Sequence, residues 1–360
     1  MGKQRGYDSL RKGTYKYKIW LIRRNEKNLR TRNRLKKHSR QWVRDNHNRK
    51  LKETNTYNEV ERRFEFKAPN VFSIIENPEE TINYFNRILK FVSENKNRKR
   101  HIHIDIAHVT KLTSDALMYL IAIVNDIKPE YHDRNFFEGN EPLDPRIRKK
   151  FIESGFYDFV DYRGSSPITR NKDNIQIVSG EKCDTSLAKK VSDFVCEKSG
   201  LDKVKCKFLY NIMIELMSNT HKHAYEGDDY LLLPRWYCYA KYSTDKESIT
   251  FTFMDTGSGI PATVAKKFGE SFLKNQEENE FVISALRGEA RTSTKLPYRG
   301  KGLPTIREFC VSGKIKGLHI MANKASVVVD RDIINGTDLT GAIKGTLFMW
   351  NLDVNELKGV

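Results

Sequence analysis

Absent from this sequence is any apolar run approaching the eighteen or so residues that a membrane-spanning helix requires, and its start shows no signal-peptide h-region. Cysteine is scarce: Cys183, Cys196, Cys206, Cys238 and Cys310 are odd in number, scattered, and nowhere spaced as Cys-x-x-Cys. They read as reduced thiols of a cytoplasmic protein. No helix-turn-helix or zinc-finger spacing is present, so sequence-specific DNA reading is not indicated. Acidic residues are missing from one region in particular. Residues 1–52 hold 19 Lys/Arg against 3 Asp/Glu, whereas the remainder is nearly balanced at 45 against 43. Almost all of the formal +18 therefore belongs to an N-terminal arm.

A chain of 360 residues suggests two domains or three small units. Residues 1–58 read as the basic arm, helical or disordered, with basic residues on every side of any helix over Glu26–Lys52. Such a helix repels itself unless an anionic partner neutralises it. A solvated tail, a nucleic-acid-binding arm and an arm for an anionic membrane or acidic protein all fit. For nucleic acid, Lys and Arg displace counterions from phosphates, and Tyr15, Tyr17, Trp20 and Trp42 can stack on bases.

Residues 59–165 read as a small α/β domain. Ile102, Ile104 and Ile106 alternate at the strand period, and Leu117, Leu120, Ile121 and Val124 follow at helical spacing. Asn83–Val92 and Asp144–Ser154 suggest further helices. Strand, Ser-containing turn and apolar helix together resemble a STAS domain, the fold of anti-sigma-factor antagonists. That likeness implies a protein partner and a phosphoacceptor at Ser114, although a serine there also suits plain helix capping. His101, His103 and Asp105 share one strand face, which permits a metal site. The polar stretch 166–184 reads as a linker.

Four segments dominate residues 185–360. In Asn211–Ala224, Glu215, Asn219 and His223 follow at i, i+4 and i+8 on one helical face. A carboxylate and a carboxamide one turn apart suit a nucleotide site, the amide oxygen for Mg²⁺ and the Glu as base. An alternating strand then runs into Asp255-Thr-Gly257-Ser-Gly259-Ile260, where glycines let a backbone pass close to a planar base. Arg299-Gly300-Lys301-Gly302-Leu303 precedes Pro304, as at a helix start, where backbone amides favour phosphates. Finally, Gly345-Thr346 opens a terminal strand.

These segments, in this order, resemble the N, G1 and G2 boxes and closing Gly-Thr of the GHKL superfamily, the ATP-binding fold shared by gyrase B, MutL and the sensor and anti-sigma-factor kinases. The likeness implies an α/β class: an α+β two-layer Bergerat sandwich, a mixed sheet with helices on one face and a lid at Ala262–Arg299. It implies ATP and Mg²⁺ as cofactors and makes Glu215 the catalytic base and Asn219 the magnesium ligand. His223, Asp255, Gly257, Gly259, Ile260, Arg299, Gly300, Lys301, Gly302, Leu303 and Thr346 become the nucleotide-binding residues. An ATPase or a protein kinase follows, with a homodimer as a possible assembly. No histidine stands in a recognisable histidine-kinase setting. The chain is therefore identified as an ATP-binding regulatory protein of the Ser/Thr-kinase-like partner-switch kind. The alternative is an ATP-gated switch or slow ATPase acting on nucleic acid through residues 1–52.

Deleting residues 1–52 is expected to leave ATP binding intact and abolish affinity for nucleic acid. Mobility shifts on RNA and DNA at rising salt check this, with each neutralised phosphate of duplex DNA contributing roughly −0.9 to the slope of log K against log salt.

Overall fold

The His/Ile alternation sets a strand, β3 (His101–Asp105), with Ile102 and Ile104 buried and the two histidines half-buried. The computed structural model describes residues 63–95, 101–127, 136–160, 171–223, 231–268, 277–289 and 302–359; the basic arm lies outside them. β3 is the middle strand of a parallel sheet with β1 (Arg63–Lys67) and β5 (Phe137–Gly139). A short parallel pair, β2 (Val71–Phe72) and β4 (Lys111–Leu112), accompanies it. Helix α1 (Pro78–Glu94) buries Ile82, Phe85, Ile88, Leu89 and Val92 along one stripe. Helix α2 (Ser114–Asp126) is buried on nearly every side. Helix α3 (Pro145–Glu153) starts at Asp144, whose carboxylate accepts from the Arg146 and Ile147 amides. The strand and helices expected in this half are therefore present.

Downstream lie β6 (Asn174–Gly180), α4 (Thr185–Ser199), α5 (Lys203–His223), β7 (Trp236–Ser243), β8 (Ser248–Asp255) and α6 (Ile260–Phe268). Then come α7 (Glu278–Arg287), α8 (Gly302–Val311), β9 (Lys316–Ala322), β10 (Ala325–Asp330), β11 (Ile333–Asp338), β12 (Thr346–Asp353) and α9 (Val354–Gly359). The strands form one seven-stranded sheet among the described residues, ordered β11–β10–β9–β12–β8–β7–β6. Every pairing is antiparallel, where a mixed sheet was expected. Hairpins join β7 to β8 and β9 to β10 to β11, and β12 returns between β9 and β8.

Both faces of this sheet are buried. Phe251 and Phe253 of β8, Ile320 of β9 and Phe348 and Trp350 of β12 point to one side, under α4, α5, α7 and α8. The intervening Tyr237, Met254, Met321 and Leu347 point the other way, into a core completed by Phe72, Phe85, Tyr119 and Ile123 of the upstream half. A period of two with apolar residues at both phases is what a sandwiched strand requires. The chain from Glu61 onward is accordingly one compact unit. The stretch 166–184, expected as a linker, instead supplies the edge strand β6; its residues 166–170 lie outside the described set. A bulge between Ile175 and Val178 turns Ile175 toward the helices and Ile177 toward the upstream half. The Ile177 amide donates to Ser154 O at 2.8 Å, tying β6 to the end of α3.

Residues 171–360 expressed alone would expose Tyr237, Met254, Met321 and Leu347. At roughly 1.5–3 kcal/mol per large apolar side chain, that loss rivals a whole domain's stability of about 5–15 kcal/mol. The fragment is expected to aggregate, and to stay soluble when co-expressed with residues 59–165. Size-exclusion chromatography of the two preparations checks this.

Candidate functional site

Helix α5 buries Ile212, Met213, Leu216 and Met217 against the sheet, leaving Glu215 and Asn219 half-buried on the adjacent flank. His223 closes the helix one turn later, its side chain outside the described residues. Gly302, the first residue of α8, packs against this flank. A Cβ there would stand 2.6 Å from Glu215 Oε2 and 3.4 Å from Asn219 Nδ2, so any other residue would push the Glu215 carboxylate aside. Two segments far apart in sequence thus meet.

Asp255 ends β8, on the same side of the sheet as Phe251 and Phe253 by strand alternation and therefore facing the helices. It is in register with Thr346 of β12. Gly345 has φ 86°, and a Cβ there would fall 1.8 Å from the Asp255 carbonyl oxygen. The Asp255 carboxylate accepts from the Gly257 amide at 2.9 Å and from Thr346. Burial pushes the carboxyl up to about 6, against the pull of those hydrogen bonds. Gly259, also at φ 86°, turns the chain into α6 beside the Asn323 side chain, which donates to Ser258 O at 3.1 Å. Ile260 and Leu303 then pack on a common small cluster of Val264, Phe281 and Ala285. The segments carrying Glu215, Asp255, Gly302 and Thr346 are thereby gathered at one end of the sheet.

Other expected positions fall elsewhere. Arg299, Gly300 and Lys301 lie outside the described residues. The expected lid, Ala262–Arg299, includes α7, a core helix: Val282 and Leu286 are fully buried, and the Asp338 carboxylate accepts from the Glu278 and Asn279 amides at its start. The i, i+4 apolar pairs Phe281–Ala285 and Val282–Leu286 mark that helix in the sequence. Ser114 is not a cap. The cap position belongs to Thr113, whose hydroxyl donates to Phe72 O. The Ser114 hydroxyl lies 2.6 Å from that of Thr252, on the sheet face turned away from Asp255. Sequence reasoning missed Asn323. An Asn-Lys turn between two apolar strand segments marks it, because asparagine tolerates the positive φ, 53°, found there. Among the described residues no group of three His, Cys, Asp or Glu can hold a metal, and Asp105 instead accepts from Asn140 and the Ala107 amide.

Chemically, the arrangement offers a carboxamide and a carboxylate beside a glycine-opened helix, where free amides attract phosphate. It also offers the half-buried Asp255 carboxylate, which can accept a hydrogen bond from a planar ligand edge. No protein-family model matches the chain, and no curated protein matches it.

Because Asp255 titrates higher in the folded chain than in the unfolded one, its ionisation opposes folding. Its contribution is fully favourable below about pH 4 and is lost as pH rises through about 6. Asp255→Asn is therefore expected to be more stable than wild type at pH 8, by about 2 kcal/mol, with the gap closing toward pH 4. Denaturant titrations at both pH values check this.

Proposed function

We propose that this chain is an ATP-binding regulatory protein of the GHKL superfamily, with a Bergerat-type nucleotide site in its downstream half and a STAS-like upstream half. The observation that carries the reading is Gly302 seated against Glu215 and Asn219, which joins the helix start expected to cradle phosphates to the pair expected to serve metal and base. Asp255, held by Gly257 and Thr346, is the acceptor for the adenine amino group, with Gly259 and Ile260 shaping the turn beside it. Asn219 offers its amide oxygen to Mg²⁺, and Glu215 orients or deprotonates the attacking nucleophile. His223, Leu303, Arg299, Gly300 and Lys301 complete the set by resemblance. Bound Mg·ATP supplies the transferable phosphoryl group and the charge neutralisation its transfer requires.

The partner-switch reading needs a Ser or Thr acceptor. Ser114 faces Thr252 across the sheet from Asp255, which favours an acceptor on another protein over transfer within one docked chain. The same placement supports the second reading, an ATP-gated switch that uses no acceptor and acts on nucleic acid through the basic arm. Mass spectrometry after incubation with Mg·ATP and candidate partners separates the two: a phosphoserine or phosphothreonine marks the kinase, ADP alone the switch.

In calorimetry, Asp255→Asn is expected to abolish ATP binding while the protein stays folded, and Asn219→Ala to weaken the magnesium-dependent component. Glu215→Ala is expected to keep binding and lose turnover, because a base acts on the chemical step. Turnover by Glu215→Ala at the wild-type rate would remove Glu215 from the mechanism.

A further inference from the structure

We infer that Tyr119 and Asp126 of α2 are positioning residues for the nucleotide site, holding from the opposite face of the sheet the two backbone segments that flank Asp255. This rests on the reading of Asp255 as the base-recognising carboxylate.

The first segment is the loop before β12. Tyr119 is buried, and its hydroxyl accepts the Lys344 amide at 2.8 Å. Lys344 precedes Gly345, the residue pressed on the Asp255 carbonyl, and Thr346, its register partner. Helix α1 grips the same loop. Asn86 Nδ2 donates to Ala342 O at 3.1 Å, and Gly341 leaves no room for a Cβ, which would stand 2.8 Å from Ile82 Cγ2. On the site side, the Ile343 amide donates to Asn323 O at 2.9 Å, and Asn323 in turn holds Ser258. The loop is thus clamped between the upstream helices and the turn that carries Gly257 and Gly259.

The second segment is Leu232–Arg235, entering β7. The backbone oxygen of Asp126 accepts the Leu233 amide at 2.7 Å. Its carboxylate takes the Tyr237 hydroxyl and lies 3.1 Å from Arg235 Nε. From there the connection runs directly to the residue after Asp255. The Arg235 amide donates to Thr256 Oγ1 at 2.8 Å, the Thr256 hydroxyl donates to Leu233 O at 2.8 Å, and the Thr256 amide donates to Arg235 O at 2.9 Å. Asp255 is therefore bracketed by two segments anchored on α2, the first by the Tyr119 hydroxyl and the second by the backbone oxygen and the carboxylate of Asp126. Removing an anchor leaves the core packing of α2 in place but frees the backbone beside the carboxylate.

Hydrogen exchange on the full chain, without nucleotide, tests this with Tyr119→Phe and Asp126→Asn. Losing one buried hydrogen bond, about 1.4 kcal/mol, is expected to speed exchange of the Thr256 and Gly257 amides about tenfold, while those of Val327 and Val329 in the remote β9–β10–β11 ladder stay unchanged. Parallel Mg·ATP titrations are expected to show several-fold weaker binding by both variants. Equal acceleration at Val327 and Val329 would make the two side chains merely structural and overturn the inference. So would unchanged exchange and affinity in a chain that binds ATP. A wild-type chain that binds no ATP overturns the reading of the site itself, and with it the nucleotide part of this inference. Should either variant fail to fold, Asn86→Ala, which removes a single donor to Ala342, carries the same measurement at Ile343.

Discussion

Tyr237, Met254, Met321 and Leu347 turn away from the helix layer, and something apolar must cover them. That constraint sets the upstream half on the second face of the sheet, so that from Glu61 onward the described residues stack helices, sheet and upstream half. Phe72, Phe85, Tyr119 and Ile123 meet the requirement from segments that share no hydrogen-bonded sheet with it. Seating Ser114 against Thr252, clamping the loop before β12 and ordering the Leu232–Arg235 segment all follow from this covering.

Apolar burial alone is non-directional and would allow the two halves to slide. Polar groups within the joint fix its register. Across it, the Lys344 amide donates to the Tyr119 hydroxyl and Asn86 Nδ2 to Ala342 O. Inside the upstream half, the buried Asp115 accepts the Ile74 amide at 2.6 Å, the Ile75 amide at 3.1 Å and the Ser73 hydroxyl, locking the approach to α1 onto α2. Burial pushes its carboxyl up, as it does that of Asp126, which reaches about 7 despite Tyr237 and Arg235. Both groups oppose folding when ionised, yet an apolar replacement would orphan the donors they satisfy. Their energetic cost is exchanged for a single geometry of the joint.

Local patterns in the sequence were sufficient for most elements. The His/Ile alternation, the apolar stripe of α2, the Glu215–Asn219 face and the strand entering Asp255 are all short-range signals, and the structure contains each element. Meeting of the segments was legible only through their order and resemblance, since nothing local says that Gly302 lies against Glu215. Two-sided burial was written into the sequence but not used. Trp236-Tyr-Cys-Tyr-Ala240 and Thr346-Leu-Phe-Met-Trp350 are apolar at both phases, as in strands covered on both faces. Reading 166–184 as a linker failed for a different reason. A seven-residue edge strand with a bulge breaks the period of two at Ile175–Val178 and looks irregular. Asp126, Arg235 and Thr256 carried no signal at all, because their roles depend on neighbours far away in sequence.

The joint and the candidate site are consequently not separable in energy. The backbone beside Asp255 is held by α2 on one face of the sheet and faces the ligand side on the other, so a ligand that tightens one tightens both. Linkage makes such a relation reciprocal. On the proposed reading, whatever factor a partner of the upstream half imposed on nucleotide affinity, nucleotide would impose on affinity for that partner. The size of the factor is limited by how differently the joint is held in the two states, and one or two buried hydrogen bonds at about 1 kcal/mol each set it near five- to thirtyfold. A switch of that gain needs no movement of whole domains. Loosening at Tyr119–Lys344 or Asp126–Leu233 is enough, and these contacts lie inside one compact unit rather than across a hinge.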